Sequence, residues 1–76
     1  METKYAQRFK ILGRSIAFHR KQMGYTQEVL AEHIDKTTEY IAKIEGQQTG
    51  RGVSLNTLFE LAEALAVPPG QLLDGR

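Results

Sequence analysis

Apolar residues recur at helical spacing along most of the chain, and short polar or glycine-containing segments separate the runs. The first run is a stripe of four apolar side chains three or four residues apart: Tyr5, Phe9, Leu12 and Ile16. This spacing predicts a first helix over residues 5–23. Gly24 follows directly and is suited to end that helix in the left-handed conformation.

Two shorter amphipathic segments follow, and a turn joins them. Thr26 is a good N-cap for a second helix, whose inward face is predicted from Leu30, Ala31 and Ile34. The turn lies at Asp35 and Lys36. Aspartate tolerates the left-handed region better than most residues other than glycine, which favours a tight connection there.

A third helix is predicted to begin after Thr37, whose hydroxyl can cap it. Ile41 and Ile44 are spaced to face inward. The positions opposite them share an outward face, namely Thr38, Glu39, Ala42 and Lys43. Two short helices joined by a tight turn are typical of a helix-turn-helix, whose second helix can enter the DNA major groove.

The remaining third of the chain predicts one or two more helices after a glycine-containing loop. Ser54 is placed to cap a fourth helix, whose periodic apolar positions are Leu55, Leu58, Leu61, Ala62 and Leu65. Pro68 and Pro69 stop that helix or start a last short one through Leu72 and Leu73. We therefore expect an all-α fold, a compact bundle of about five helices forming a single domain over residues 1–76.

Net charge changes this picture only through its distribution. The chain carries a formal net charge of +1, which is weak support for a nucleic-acid partner. Residues 1–24 hold six basic side chains against one acidic, a net of +5, whereas the remainder has a net of −4. The basic segment is either a solvated helix face, the commoner meaning of such a run, or a flank that meets phosphates.

Several classes of function find no support in the sequence. The chain has no cysteine, and neither His19 nor His33 has the spacing of a metal site. Ser15 and Ser54 lie in no nucleophile motif, so we expect no enzyme activity, no metal, no cofactor and no small-molecule ligand. No apolar run approaches the length of a membrane span or a signal peptide, and we expect a cytoplasmic protein.

The order and spacing of these elements resemble the phage-repressor and Cro-like helix-turn-helix family, also called the XRE family. No single element is specific, and the resemblance rests on the whole set between residues 12 and 73. The matching positions are Ile16, Arg20, Gly24, Thr26, Gln27, Leu30, Ala31, Thr37, Ile41, Ile44, Glu45, Ser54, Leu55, Leu58, Ala64, Leu65, Leu72 and Leu73. The resemblance implies a lambda-repressor-like DNA-binding domain that dimerises on a symmetric operator.

The resemblance also assigns roles to residues of the two helices. It implies that Gln27 contacts phosphate and that Arg20 and Glu45 form an internal salt bridge. It further places Thr38, Glu39 and Lys43 at base-reading positions of the third helix and Tyr40 at its flank. Lys36 in the turn, the capping Thr37 and Arg51 in the following loop are further candidate DNA contacts, which the residues suggest and the resemblance does not carry over. Asp35 and Lys36 depart from the family, which usually has glycine and an apolar residue there.

An apolar patch near the end of the chain is the candidate dimer interface. It comprises Phe59, Val67, Leu72 and Leu73. The alternative for Phe59 is that it covers the N-terminal part of the first helix.

Taken together, the sequence predicts a sequence-specific DNA-binding transcriptional regulator that acts as a homodimer through its third helix. The alternative is a protein-interaction module, antitoxin-like or accessory, that keeps the fold with weak or no DNA binding. The low net charge and Glu39 favour this alternative. Among regulators, the stretch from Thr38 to Ile41 resembles restriction-modification controller proteins, while phage or plasmid repressors and antitoxins fit nearly as well.

Overall fold

In the part of the chain that the structure describes, five helices form where the sequence has apolar stripes at helical spacing. The computed structural model describes residues 4–46 and 52–75, and this part of the chain contains no strand. The helices are α1 (Ala6–Gln22), α2 (Gln27–His33), α3 (Thr38–Gly46), α4 (Leu55–Leu65) and α5 (Pro69–Asp74). The all-α architecture predicted from the sequence is confirmed.

Hydroxyl side chains begin three of these helices. Thr26 Oγ1 accepts a hydrogen bond from the backbone N–H of Val29 at 3.1 Å, and Thr37 Oγ1 accepts one from Tyr40 at 3.1 Å. Ser54 Oγ accepts from the backbone N–H of Thr57, also at 3.1 Å. Each bond satisfies one of the N–H groups that a helix start leaves without a partner, and all three predicted caps are confirmed.

Left-handed residues end α1, α2 and α4. Gly24 has φ +75° and Asp35 has φ +56°, as their sequence positions predicted. In each case the residue after the left-handed one donates its N–H back into the helix, Tyr25 to Arg20 and Lys36 to Ala31. This pairing is the Schellman motif, and it turns the chain sharply between consecutive helices. Ala66 ends α4 in the same conformation, with φ +58°.

One apolar core joins all five helices. It is built from buried side chains of every helix and of the α2–α3 turn: Leu12, Ile16, Leu30, Ala31, Ile34, Ile41, Ile44, Leu58, Leu61, Ala62, Leu65 and Leu72. α1 is the central element, because it packs against α3, α4 and α5, while α2 packs against α3. The inward faces predicted for α2 and α3 are confirmed, and α3 therefore lies on the core by one face only.

The structure corrects several predicted apolar positions. Tyr5 precedes α1 and is half-exposed, so the α1 stripe begins at the partly buried Phe9. Leu55 is 69% exposed at the first position of α4, because the inward stripe of that helix runs through Leu58, Leu61, Ala62 and Leu65 instead. His19 is buried, and its ring makes a T-shaped contact with the ring of Phe18.

The left-handed alanine at the end of α4 provides a test of this description of the helix ends. An L-residue with a Cβ is disfavoured in the left-handed region, whereas glycine is not. We expect Ala66→Gly to raise the free energy of unfolding by about 0.5–1 kcal/mol. Chemical denaturation monitored by circular dichroism measures the change.

The matched control is Ala42→Gly, at an exposed alanine inside α3. Glycine inside a helix lowers stability by roughly 1 kcal/mol relative to alanine, so the two variants should move in opposite directions. A loss of stability in Ala66→Gly comparable to that in Ala42→Gly would contradict the left-handed assignment.

Candidate nucleic-acid interface

The outward face of α3 is a polar surface, and the opposite face of the helix packs against the core. Ile41 and Ile44 are buried, and this anchors the helix against α1 and α2. Thr38, Glu39 and Lys43 are exposed on the other side, together with Ala42. Because Ala42 has almost no side chain, the backbone of α3 is accessible at the centre of this face.

An ion pair joins the end of α1 to the end of α3. Arg20 Nε donates to Glu45 Oε2 at 2.8 Å and Arg20 Nη2 donates to Glu45 Oε1 at 3.1 Å, which makes the pair bidentate. The side chains are only 11% and 7% exposed. A carboxylate in the last turn of a helix opposes the helix dipole, so Glu45 depends on its arginine partner.

Two further hydrogen bonds extend this pair into a cluster. Arg20 Nη1 donates to the backbone carbonyl of Tyr25 at 2.8 Å, which ties the α1–α2 connection to the same guanidinium. Gln27 Nε2 donates to Glu45 Oε1 at 3.0 Å. The cluster of Arg20, Glu45, Gln27 and the Tyr25 carbonyl therefore fixes the ends of α1 and α3 and the start of α2 relative to one another.

The position of Gln27 adds a constraint that the sequence did not reveal. Its amide nitrogen has one hydrogen directed to Glu45 and a second that remains for another acceptor. The expected phosphate contact is therefore limited to that second hydrogen, and the side chain is held in one orientation. Spacing along the chain could not identify this bond, because Gln27 and Glu45 are separated by 18 residues.

The turn between α2 and α3 presents one cation and one anion. The Lys36 ammonium lies 5.5 Å from the centroid of the Tyr40 ring, in the geometry of a cation–π contact. Asp35 is exposed beside it, in the left-handed position that ends α2. Lys36 and Tyr40 thus form a unit at the N-terminal end of α3, next to the exposed Thr37.

The helix-turn-helix surface carries more exposed anions than cations. Across α2, the turn and α3, the exposed cations are Lys36 and Lys43, and the exposed anions are Glu28, Glu32, Asp35 and Glu39. A phosphate backbone is attracted by lysines and repelled by carboxylates, so Lys36 and Lys43 carry most of the favourable electrostatics here. Arg51, the further cation expected in the loop, lies outside the residues that the structure describes.

One aromatic contact of α2 was not anticipated from the sequence. The ring of Tyr25 stacks on that of His33, with centroids 4.9 Å apart and planes 22° apart. This contact joins the segment before α2 to the last residue of that helix. His33 is exposed otherwise, and within the described residues no group of three or more histidines or acidic side chains could hold a metal ion.

The candidate dimer patch divides into surface and core residues. Phe59 and Leu73 are 54% and 50% exposed, so about half of each side chain is on the surface. Leu72 is fully buried within the chain, and its assignment to a dimer surface is wrong, because α5 turns this leucine into the core. Val67 is half-buried against the core, while the unanticipated Leu55 shares one face of α4 with Phe59.

Comparison with known proteins places this arrangement among regulators. Residues 16–72 match the helix-turn-helix family model. The chain is similar to the restriction-modification controller protein C.AhdI from Aeromonas hydrophila, with 30% identity and a TM-score of 0.76 over 84% of this chain and 94% of that one. No curated protein gave a significant match.

Two further solved structures share the fold at lower identity. The clp gene regulator ClgR from Corynebacterium glutamicum is 24% identical, with a TM-score of 0.81 over 90% of this chain and 70% of that one. The hypothetical transcription factor NHTF from Neisseria is 23% identical, with a TM-score of 0.80 over 96% of this chain and 82% of that one. Among the described residues, no helix is long and apolar enough to cross a membrane.

The cluster around Glu45 predicts a large effect for a single substitution. Glu45→Ala leaves the Arg20 guanidinium largely buried and without its carboxylate, and removes the acceptor of Gln27. We expect a loss of about 3 kcal/mol in the free energy of unfolding. Thermal and chemical denaturation of the purified variant measure this loss.

The matched control is Glu60→Ala, at an exposed glutamate of α4. Surface substitutions of this kind change stability by about 0.5 kcal/mol or less. An equal melting temperature for Glu45→Ala and Glu60→Ala would show that the ion pair does not stabilise the fold.

Proposed function

Because the chain belongs to the XRE-type helix-turn-helix family, we propose that it is a transcriptional regulator that binds a specific DNA sequence. In this proposal a homodimer inserts two copies of α3 into successive major grooves of an inverted-repeat operator, about 34 Å apart. The observation that carries the proposal is the exposed polar face of α3, which projects from the core on the buried Ile41 and Ile44.

The proposed contacts divide into those that read bases and those that set the register. Lys43 and Thr38 lie on the exposed face of α3, where lysine pairs with guanine and threonine with several bases. Glu39 shares that face and accepts a hydrogen bond from cytosine N4, while it repels nearby phosphates. Its carboxylate therefore favours operators in which a cytosine meets the start of α3.

Phosphate contacts are assigned to the turn and to the start of α2. The second hydrogen of the Gln27 amide donates to a phosphate oxygen while the first stays on Glu45. Lys36, Thr37 and Tyr40 lie together at the N-terminal end of α3. In this proposal they contact the DNA phosphate backbone beside the groove that α3 enters. Arg51 is proposed as one further phosphate contact, from the loop after α3.

The homodimer is proposed to form through exposed apolar residues of α4 and α5. Phe59 and Leu55 are one turn apart on the same face of α4, and Leu73 is exposed on α5. Val67, in the connection between these helices, is half-buried against the core, and we include its exposed part in this surface. Large exposed apolar side chains grouped in this way are typical of a protein–protein interface.

Among the kinds of regulator considered, we favour a restriction-modification controller over a phage repressor or an antitoxin. The similarity to the controller protein from Aeromonas hydrophila supports this choice, since it extends over 94% of that chain at 30% identity. The other solved structures compared fall below 25% identity and support the fold alone.

Lys43 is the residue whose replacement tests the DNA proposal. The DNA for this test is an operator selected from a randomised pool of duplexes. We expect Lys43→Ala to weaken binding to it by about tenfold, because one base or phosphate contact is lost. The melting temperature should stay unchanged, since the side chain projects away from the core. Fluorescence anisotropy over a series of salt concentrations measures affinity and its salt dependence.

Lys10→Ala is the matched control, because it removes an exposed lysine of α1 instead. A loss of DNA affinity in Lys43→Ala but not in Lys10→Ala supports a recognition role for α3. If the affinity of Lys43→Ala also depends less steeply on salt concentration than that of the parent, Lys43 contacts a phosphate. Equal affinities for Lys43→Ala, Lys10→Ala and the parent would remove Lys43 from the interface. Weak, sequence-independent binding by all three would favour the protein-interaction alternative.

The dimer proposal is tested at Phe59. Phe59→Lys should shift the protein toward monomer in sedimentation equilibrium, because a charged side chain opposes burial of this surface. Phe18→Lys is the control, since Phe18 is 54% exposed, as is Phe59, but lies on α1. Unchanged association in Phe59→Lys, or an equal loss in both variants, would contradict the assigned interface.

A further inference from the structure

A cavity lies beside α1 on a face that the proposed DNA and dimer surfaces do not use. Its lining residues on α1 are Ile11, Arg14, Ser15 and Phe18, and the end of α5 contributes Gly75. The α1 residues are spaced three and four apart, so they share one side of the helix. The cavity holds about 480 Å³ and is partly open to solvent.

Two contacts within the protein position the apolar residues that line this cavity. A Cβ at Gly75 would lie 2.6 Å from Ile11 Cγ2, so the bare glycine backbone packs closely against the isoleucine. The Phe18 ring, which is 54% exposed, makes a T-shaped contact with the His19 ring, with centroids 5.1 Å apart. The apolar faces of Ile11 and Phe18 are therefore in place without a ligand, which is typical of small-molecule sites.

Two polar groups give the cavity a chemical preference. Ser15 is 5% exposed, and among residues 4–46 and 52–75 its buried hydroxyl has no hydrogen-bond partner. A buried hydroxyl without a partner is unfavourable, and Ser15 is among the residues that line the cavity, where a ligand could supply the missing acceptor. Arg14 is exposed at the rim and supplies a permanent positive charge.

We propose that this cavity binds a small apolar carboxylate. The apolar body of the ligand would lie between Ile11 and Phe18, and its carboxylate would accept hydrogen bonds from Arg14 and Ser15. The volume falls within the range of ligand pockets, which is about 300–1,000 Å³. This departs from the sequence-based expectation of no small-molecule ligand, and it does not depend on DNA binding or dimerisation.

The test uses octanoate, with 1-octanol as the matched neutral compound, on the isotopically labelled full chain. Titration below the micelle concentration is followed through backbone amide resonances. We expect saturable binding of one octanoate per chain, with the largest shifts at Ser15, Phe18 and Gly75. 1-Octanol should bind about tenfold more weakly, because it lacks the charge that pairs with Arg14.

Matched variants separate this site from general apolar adsorption. Arg14→Gln should lower octanoate affinity about tenfold and leave 1-octanol binding unchanged, whereas Lys10→Gln, one turn away and outside the cavity, should alter neither. Phe18→Ala should weaken both compounds, while Phe59→Ala, at a phenylalanine equally exposed, should weaken neither. Ser15→Ala should raise the melting temperature of the free protein and weaken octanoate binding.

Three results would overturn the proposal. One is the absence of saturable shifts at the cavity residues. Another is equal octanoate binding by the parent, Arg14→Gln and Phe18→Ala, which would indicate adsorption elsewhere. The third is binding seen only in the monomeric Phe59→Lys variant, since a second copy of the chain would then cover the cavity.

Discussion

The ion pair between Arg20 and Glu45 is the interaction on which the rest of the arrangement depends. It joins α1 to α3 through two residues that are 25 positions apart in sequence, and its guanidinium also bonds to the chain between α1 and α2. Gln27 joins the same carboxylate from the start of α2. In so small a chain a thin apolar core leaves helix orientation weakly determined, and directional bonds between helix ends supply the missing constraint. The direction in which α3 presents its polar face follows from this cluster.

The same cluster connects stability to the proposed function. Glu45 stabilises the fold through Arg20 and also orients the amide that we assign to phosphate. The side chains that we propose to read bases lie elsewhere, on the exposed face of α3, where Lys43 and Glu39 contribute little to the core. The residues proposed to position the protein on the duplex therefore differ from those proposed to recognise its sequence. This agrees with the general division between phosphate contacts and base contacts.

Features set by local chemistry were predictable from the sequence, and those set by tertiary packing were not. The hydroxyl caps at Thr26, Thr37 and Ser54 and the left-handed Asp35 depend on neighbouring residues, and the spacing of Ile41 and Ile44 sufficed to orient α3. The first turn of α4 and the short α5 were harder, because helical period alone does not say which side of a short helix meets the core. Leu55 was therefore predicted to face the core but is exposed, and Leu72 was predicted on the surface but is buried. The bond from Gln27 to Glu45 and the cavity beside α1 depend on contacts between distant segments, which single-sequence patterns do not contain.

The central claim is that the exposed face of α3 reads DNA as part of a symmetric dimer. Selection of bound duplexes from a randomised pool at near-physiological salt tests it most directly, with circular dichroism confirming that the protein is folded. The account predicts enrichment of an inverted repeat whose half-site centres are about 10 base pairs apart, one helical turn of DNA. Failure of folded protein to enrich any sequence would contradict the claim and favour a protein-interaction role.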